Sequence, residues 1–543
     1  MILRGCVAMP QLYENLIGNP TFDLTAAGDY DIGLYRNTGT PWVRLWAEWE
    51  HFQPADRQHI NATLLDALDR NIDAAKRTRP QLGVILTSRG YPLWSNGTAS
   101  LVANGGVMPP SNGPPNNPPP NNGTTNLEFN EDPYWIGNPP PTPPGTPPPP
   151  PPGTPPPCAS ALEAEAPGIS KAPSALRFRF PIKQGEVCTG GVQGGAPFSY
   201  DFDLGVGSAW GDWILFLATR YNPNAAVRHA AWQIGARVGL PAPAAGLDPH
   251  INVLEFVNEP LGAEGFPQLG SDGTLDTGSV AAVSQMFQTA QYIIDTQLGG
   301  KTGLLMAGPA SEDRTTGGYT GHSTTQDFTH ALLQKLAAPN SGFNIKNSNF
   351  IWTHHYYNDF TYLHTLAPSS SEISGQIPIR VRAGVNSAAL VRAMLVKAGW
   401  RGYRDPNRDG QAPRLWLTEG GVLLNVLFKS FKKKSKKKSK KKIEAEAEAE
   451  QAKRLSYMWE QMRRENLKRG DHFIGTGISM VANWNFFATA FDAGLIDPLP
   501  SPPPATPPPP PSSAKMRPAY YAWRTLQRTE RQKVDTPLPP KPK

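Results

Sequence analysis

Two carboxylates stand where apolar runs stop. INVLEFVNEP, residues 251–260, ends in Asn258, Glu259 and Pro260, and RLWLTEGG, residues 414–421, delivers Glu419 into a pair of glycines. Continuous apolar runs of this kind are strands buried on both faces. A carboxylate belongs at the end of such a run only where side chains leave a packed interior, because an ionised group inside it is costly. Two carboxylates facing one another can divide the work of breaking an acetal: one protonates the leaving oxygen and the other, ionised, attacks the anomeric carbon. A spacing of roughly 5–5.5 Å selects the covalent, configuration-retaining route. Their mutual repulsion helps to raise the pKa of the acid.

The elements that must hold this pair repeat along the chain. Strand-like runs at 3–9, 42–54, 82–94, 251–260, 302–310, 349–359, 414–421 and 477–487 alternate with helical patterns. Among the helices, 61–80 places Leu64, Leu65, Leu68, Ile72 and Ala75 at helical spacing. Further helices are expected at 210–223, 280–297, 327–338, 386–399, 452–468 and 517–528. Eight buried strands, each followed by a helix, predict a (β/α)₈ TIM barrel, whose strand C-termini open into the active-site bowl. Strands four and seven lie three places apart in such a ring, so Glu259 and Glu419 face each other. An open doubly wound sheet would need a glycine-rich phosphate turn, and none is present.

The barrel is expected over 1–96 and 196–530, interrupted by a Pro/Asn/Gly-rich insertion at 97–195, a Lys-rich then Glu/Ala segment at 424–451 and a Pro-rich segment at 497–514, with a disordered tail at 531–543. Most of the 59 prolines fall in these tracts, which hold little to bury. All three insertions leave C-terminal strand ends, where added length costs little.

VNEP on strand four, LTEGG on strand seven, WTHHYYND on strand six and VANWNFF on strand eight together resemble clan A glycoside hydrolases, the cellulase-like barrels. WVRLWAEWEHFQP and SRGYPLWSN add to the likeness. The resemblance implies a retaining β-glycoside hydrolase with Glu259 as acid/base and Glu419 as nucleophile. It further implies Asn258 on the sugar 2-hydroxyl, Arg44 orienting Glu419, and His355 with Tyr357 supporting the carboxylates. His354 with Tyr356 obeys the same i, i+2 spacing. Trp484 is the expected platform under the sugar and Trp94 a second sugar contact. Trp46, Trp49 and Trp352 read better as core. A glycan-binding barrel with altered catalysis, and a transglycosylase using the same site, remain as alternatives.

The expected partner is an oligo- or polysaccharide, with no organic cofactor and no metal. His354 and His355 lack a third ligand at zinc spacing. DPNRDG at 405–410 opens like a calcium loop but places Trp416 where the glutamate belongs, which leaves a turn. The net charge of +7 is local: ten lysines lie within 429–442, and the remainder carries −3. Nucleic acid is therefore not expected, although the Lys429–Lys442 run offers weak binding to an anionic polymer. Like charges within that run oppose helix, whereas IEAEAEAEQAKR can extend the following helix backwards. Three cysteines exclude a disulfide scaffold. Cys6 reads as a core thiol, and Cys158 and Cys188 can pair only in an exported chain. Asn61, Asn96 and Asn122 each open an N-x-T sequon, relevant only in a eukaryotic secretory route. No run of eighteen apolar residues is present, so no membrane insertion is expected, and a monomer is. The N-terminus lacks a signal-peptide pattern, which leaves localisation open: cytoplasmic as written, extracellular or wall-associated if a leader precedes it.

Overall fold

A computed structural model describes residues 5–7, 42–53, 60–78, 81–92, 204–205, 208–237, 239–261, 266, 275–300, 302–311, 324–363, 387–400, 415–434, 438–468 and 517–529. The expected eighth strand, Trp484, Trp94, Cys158, Cys188, the 405–410 turn and the Pro-rich tracts lie outside the described residues.

In chain order the elements are β1 (Gly5–Val7), β2 (Trp42–Glu48), α1 (Trp49–Phe52), α2 (Ala62–Arg77), β3 (Gly83–Arg89), α3 (Ala209–Arg220), α4 (Ala225–Arg237) and β4 (Val253–Glu255). There follow α5 (Thr277–Gln291), which runs into a π-helical turn (Tyr292–Gln297), then β5 (Leu305–Ser311), α6 (Thr324–Ala337), β6 (Phe350–His355), α7 (Tyr357–Thr361), α8 (Ser387–Ala398) and β7 (Leu415–Glu419). The chain continues through α9 (Leu424–Lys434), α10 (Lys440–Lys468) and α11 (Pro518–Thr529). Two helices, α3 and α4, precede β4 where one was expected.

The seven strands form one parallel sheet in sequential order, β1 to β7. The sheet curls. Trp42 of β2 meets Trp416 of β7 edge to face at 5.2 Å, and Arg44 of β2 hydrogen-bonds Glu419 of β7. Curling creates two apolar layers. Ile85, Val253, Ala307, Ile351 and Trp416 fill the inside with Trp42 and Leu305 against them, while a larger core lies between sheet and helices. This double burial is why the strands read as unbroken apolar runs.

Local chemistry sets the helix starts. The side chains of Asn61, Ser208 and Asp276 accept from the backbone N–H three residues on, capping α2, α3 and α5. The first sequon asparagine is thus a cap. A buried ion pair ties α2 to α3: Asp69 accepts from Arg220 Nε at 3.1 Å and Nη2 at 2.5 Å, and from the Tyr221 hydroxyl at 2.8 Å.

The lysine-rich segment departs from expectation by being helical. In α9, Leu427 is buried and Leu424, Phe428 and Phe431 pack against the core, an i, i+3, i+4, i+7 stripe. Lys429, Lys432, Lys433 and Lys434 point to solvent, where their repulsion is screened. Burial of the stripe therefore outweighs the like charges. Helix α10 begins at Lys440 and takes in the Glu/Ala stretch, burying Ile443, Ala447, Leu455, Met458 and Trp459 along one face. Among the described residues no helix is long and apolar enough to cross a membrane.

Candidate active site

Strand alternation points Arg44, Thr87, Glu255, Glu419's neighbour Thr418 and His355 towards the inside of the curl, above the inner apolar layer. β4 makes ladder pairs only through Glu255. Beyond it the chain keeps contact with β5 through Phe256 N–H to Ala307 O at 3.0 Å and Glu259 N–H to Ala310 O at 3.1 Å. Glu259 itself adopts φ +46, the left-handed region that a glutamate occupies only at a cost of order 1–2 kcal/mol. Pro260 follows, with no N–H to continue a ladder. The apolar run therefore ends in a strained turn that lifts one carboxylate into the bowl. On β7 the close approach is made by Gly420, where a Cβ would lie 2.6 Å from the Tyr356 ring.

The two carboxylates are held from different sides. Glu419 accepts from Arg44 Nη1 at 2.6 Å through Oε2 and from the Tyr357 hydroxyl at 2.5 Å through Oε1. Glu259 Oε1 lies 2.5 Å from His355 Nδ1, and His355 Nε2 lies 3.8 Å from Glu419 Oε2. His355 thus stands between the carboxylates and is wholly buried. Burial opposes its charged form, but Glu419 and Glu259 outweigh that cost and raise its pKa. The Glu259 side chain is 17% exposed and that of Glu419 8%, so both are reachable from outside yet shielded from bulk water.

The structure brings six of the eight sequence-derived site residues together: Arg44, Asn258, Glu259, His355, Tyr357 and Glu419. Asn258 Oδ1 accepts from Arg44 Nη2 at 2.7 Å. The alternative pair from β6 is turned elsewhere: His354 Nδ1 lies 3.1 Å from Ser311 Oγ, and Tyr356 packs on Phe360. Trp46, Trp49 and Trp352 are buried. Trp46 lies between two cations, with the Arg44 guanidinium 5.6 Å and that of Arg89 4.2 Å from its ring.

Sequence reasoning passed over Glu255, the most heavily bonded carboxylate of the centre. It accepts from Arg44 Nε at 2.8 Å and Nη2 at 2.5 Å, Thr87 Oγ1 at 2.8 Å and Thr418 Oγ1 at 2.8 Å. Burial penalises its ionised form, yet Arg44 and then His355 and Thr87 hold its pKa below the ordinary carboxylate value. The available signal was its spacing: Glu255 and Glu259 stand four apart, so a strand carried through to Glu259 would put both carboxylates on one face.

A second titratable group lies at the end of β2. Glu48 pairs with His51, Nδ1 to Oε2 at 2.9 Å, and with Arg89, Nε to Oε1 at 3.4 Å. Beside it, Glu50 packs its Oε2 into the space that a Cβ on Gly90 would take, and that oxygen is enclosed without a hydrogen bond. Burial first and the Glu48 charge second push the Glu50 carboxyl up to about 7.

Glu259, His355 and Glu419 each present one ligand atom within 4.8 Å of the others, a spacing open to a metal ion. These atoms are engaged with one another, with Arg44 and with Tyr357, and an imidazole that favours its protonated form is a poor ligand. We assign no metal to them.

No family model matches the sequence, and no curated protein does. Solved structures do resemble the chain over most of its length. They include the β-glycosidase BGL167 (12% identity, 99% of this chain and 98% of that chain, TM-score 0.40) and a GH5_18 protein from Bifidobacterium longum subsp. infantis (12%, 98% and 80%, 0.42). A third is the endo-β-1,4-glucanase Xac0030 of Xanthomonas axonopodis pv. citri carrying three substitutions (12%, 92% and 90%, 0.34). At this level of likeness the functional reading stands on the side-chain geometry.

Proposed function

We propose that this chain is a retaining β-glycoside hydrolase on a (β/α)₈ barrel, acting on an oligo- or polysaccharide through Glu259 and Glu419. The observation that carries the reading is their proximity. Facing oxygens of the two carboxylates lie within 4.8 Å, which supports direct attack by one carboxylate; the inverting route needs a gap of roughly 6.5–9.5 Å to seat a water.

The roles follow from the partners. Arg44 and Tyr357 aim the Glu419 carboxylate with one donor on each oxygen. Its carboxylate attacks the anomeric carbon as the bond to the leaving oxygen breaks. Glu259 delivers a proton to that oxygen, drawing on the proton it shares with His355 Nδ1. Water then attacks the glycosyl–Glu419 ester and returns its proton to Glu259, freeing the sugar with its configuration retained. Asn258 gives its carbonyl oxygen to Arg44, which leaves its amide N–H groups for a sugar hydroxyl. In this reading Trp484 and Trp94 stack on the sugar, and the insertions at 97–195, 424–451 and 497–514 border the cleft.

Intact-mass measurement after incubation with 2-deoxy-2-fluoro glycosides of glucose, mannose and xylose tests the proposal. The expected result is a one-sugar adduct on the wild type, mapped to Glu419 and absent from Glu419→Gln, and the reactive reagent names the sugar. No adduct and no hydrolysis across a polysaccharide panel overturns it in favour of a glycan-binding barrel. An adduct discharged by an added sugar faster than by water identifies a transglycosylase.

A further inference from the structure

Glu255 is the one carboxylate of the centre that the proposed reaction leaves idle. It is fully buried, and its donors come from three other strands: Arg44 on β2, Thr87 on β3 and Thr418 on β7. We propose that Glu255 is a positioning residue that acts through Arg44, aiming the guanidinium and supplying its counter-charge so that Glu419 receives a single oriented hydrogen bond.

The geometry of a guanidinium makes this specific. Its five N–H groups form a rigid planar fork. Glu255 holds the edge made by Nε and Nη2, and Asn258 takes a second contact from Nη2. Once that edge is fixed, the direction of Nη1 towards Glu419 Oε2 is fixed as well. Without Glu255, Arg44 can swing its paired edge onto Glu419 and grip both oxygens, the arrangement such pairs favour. Tyr357 would then lose its place on Oε1, and the carboxylate would be tied down as a counter-ion.

Charge makes the same argument. The charged and titratable side chains around the centre are Arg44 from β2, Arg89 from β3 (engaged with Glu48), Glu259 beyond β4, His355 from the end of β6, Tyr357 from the start of α7 and Glu419 from β7. β1 and β5 carry no charged residue. Removing the Glu255 charge leaves the centre one unit more positive, so every proton held there comes off at lower pH. At the effective dielectric of buried sites, a charge about 6 Å away moves a titration by about one to two pH units.

The inference rests on the glycosidase reading for its kinetic consequence alone. The experiment is an NMR titration of the full chain labelled with ¹⁵N-histidine, with the His355 signal identified by its loss in His355→Asn. In Glu255→Gln the His355 midpoint is expected to fall by about one pH unit, and in Glu255→Asp, which keeps the charge, to stay near the wild-type value. The pH profile of kcat/KM, measured on whichever 2,4-dinitrophenyl β-glycoside of glucose, mannose or xylose the wild type turns over, is expected to move to lower pH in Glu255→Gln. Its kcat should fall at least tenfold. An unmoved His355 midpoint in a folded Glu255→Gln overturns the inference. If Glu255→Gln does not fold, Glu255→Asp decides: a lower kcat with an unmoved midpoint supports positioning, and an unchanged kcat refutes it. A wild type inert towards all three glycosides sinks the glycosidase reading, while the titration still judges Glu255.

Discussion

Glu50→Gln should stabilise the protein in alkaline but not in acidic solution. The Glu50 carboxyl, enclosed beside Glu48 and Gly90, is raised from an ordinary 4.5 to about 7. Between those values the unfolded chain has lost the proton that the folded chain still holds. Stability from this group is therefore complete below pH 4.5, declines as pH rises and is gone above about 7. The shift corresponds to about 3 kcal/mol at 1.36 kcal/mol per unit, and partial exposure of the residue reduces this to about 2 kcal/mol. Glutamine keeps the neutral form at every pH. Its advantage should be near zero at pH 4.5 and reach a plateau of about 2 kcal/mol by pH 8, or about 2–3 °C in the unfolding midpoint for a chain of this size. Paired thermal unfolding of wild type and Glu50→Gln from pH 4.5 to 9 makes the comparison. Two curves that stay parallel across that range would refute the reasoning, because a packing change has no cause to follow pH.

Tyr357→Phe removes one of the two fixed donors on Glu419 and should lower kcat ten- to a hundredfold, with the unfolding midpoint nearly unchanged; steady-state kinetics and calorimetry separate the two effects. Asp69→Asn strips Arg220 of its buried counter-charge and should cost about 3–5 kcal/mol in urea unfolding while leaving the bowl intact. Replacing Lys429, Lys432, Lys433 and Lys434 together by glutamine should preserve α9, because its stability comes from Leu427 and its apolar neighbours. It should also weaken any salt-dependent retention on an anionic polymer column, and replacing all ten lysines of 429–442 should abolish it; retention unchanged in the ten-lysine variant removes the polymer-binding role.

The strands were legible because burial on both faces writes itself as an unbroken apolar run, and the carboxylates at 259 and 419 were legible because each breaks such a run. Other features depend on contacts that no local pattern encodes. His354 and His355 are adjacent, and the ladder between β6 and β7 shifts register between them, so a period of two cannot say which one turns inward. The strand quoted at 251–260 pairs only over Val253–Glu255, since the conformation at Glu259 is fixed by Ala310 and Pro260 rather than by its own propensity. Glu255 escaped notice inside an apolar run because its partners arrive from three other strands. In α9 the reverse held: the lysines dominate the sequence, while four apolar side chains decide the structure.

Arg44 has a consequence for how the molecule comes apart. One side chain bonds Glu255, Asn258 and Glu419, and so joins β2 to β4 and to β7 across the curl. A local opening of any one of these strands would strand a buried guanidinium or a buried carboxylate, each a penalty of several kcal/mol. The three segments should then exchange their amide hydrogens as one cooperative unit, at the slowest rates in the protein, with no partial opening that exposes the bowl alone. The floor of the bowl would persist until the whole sheet gives way.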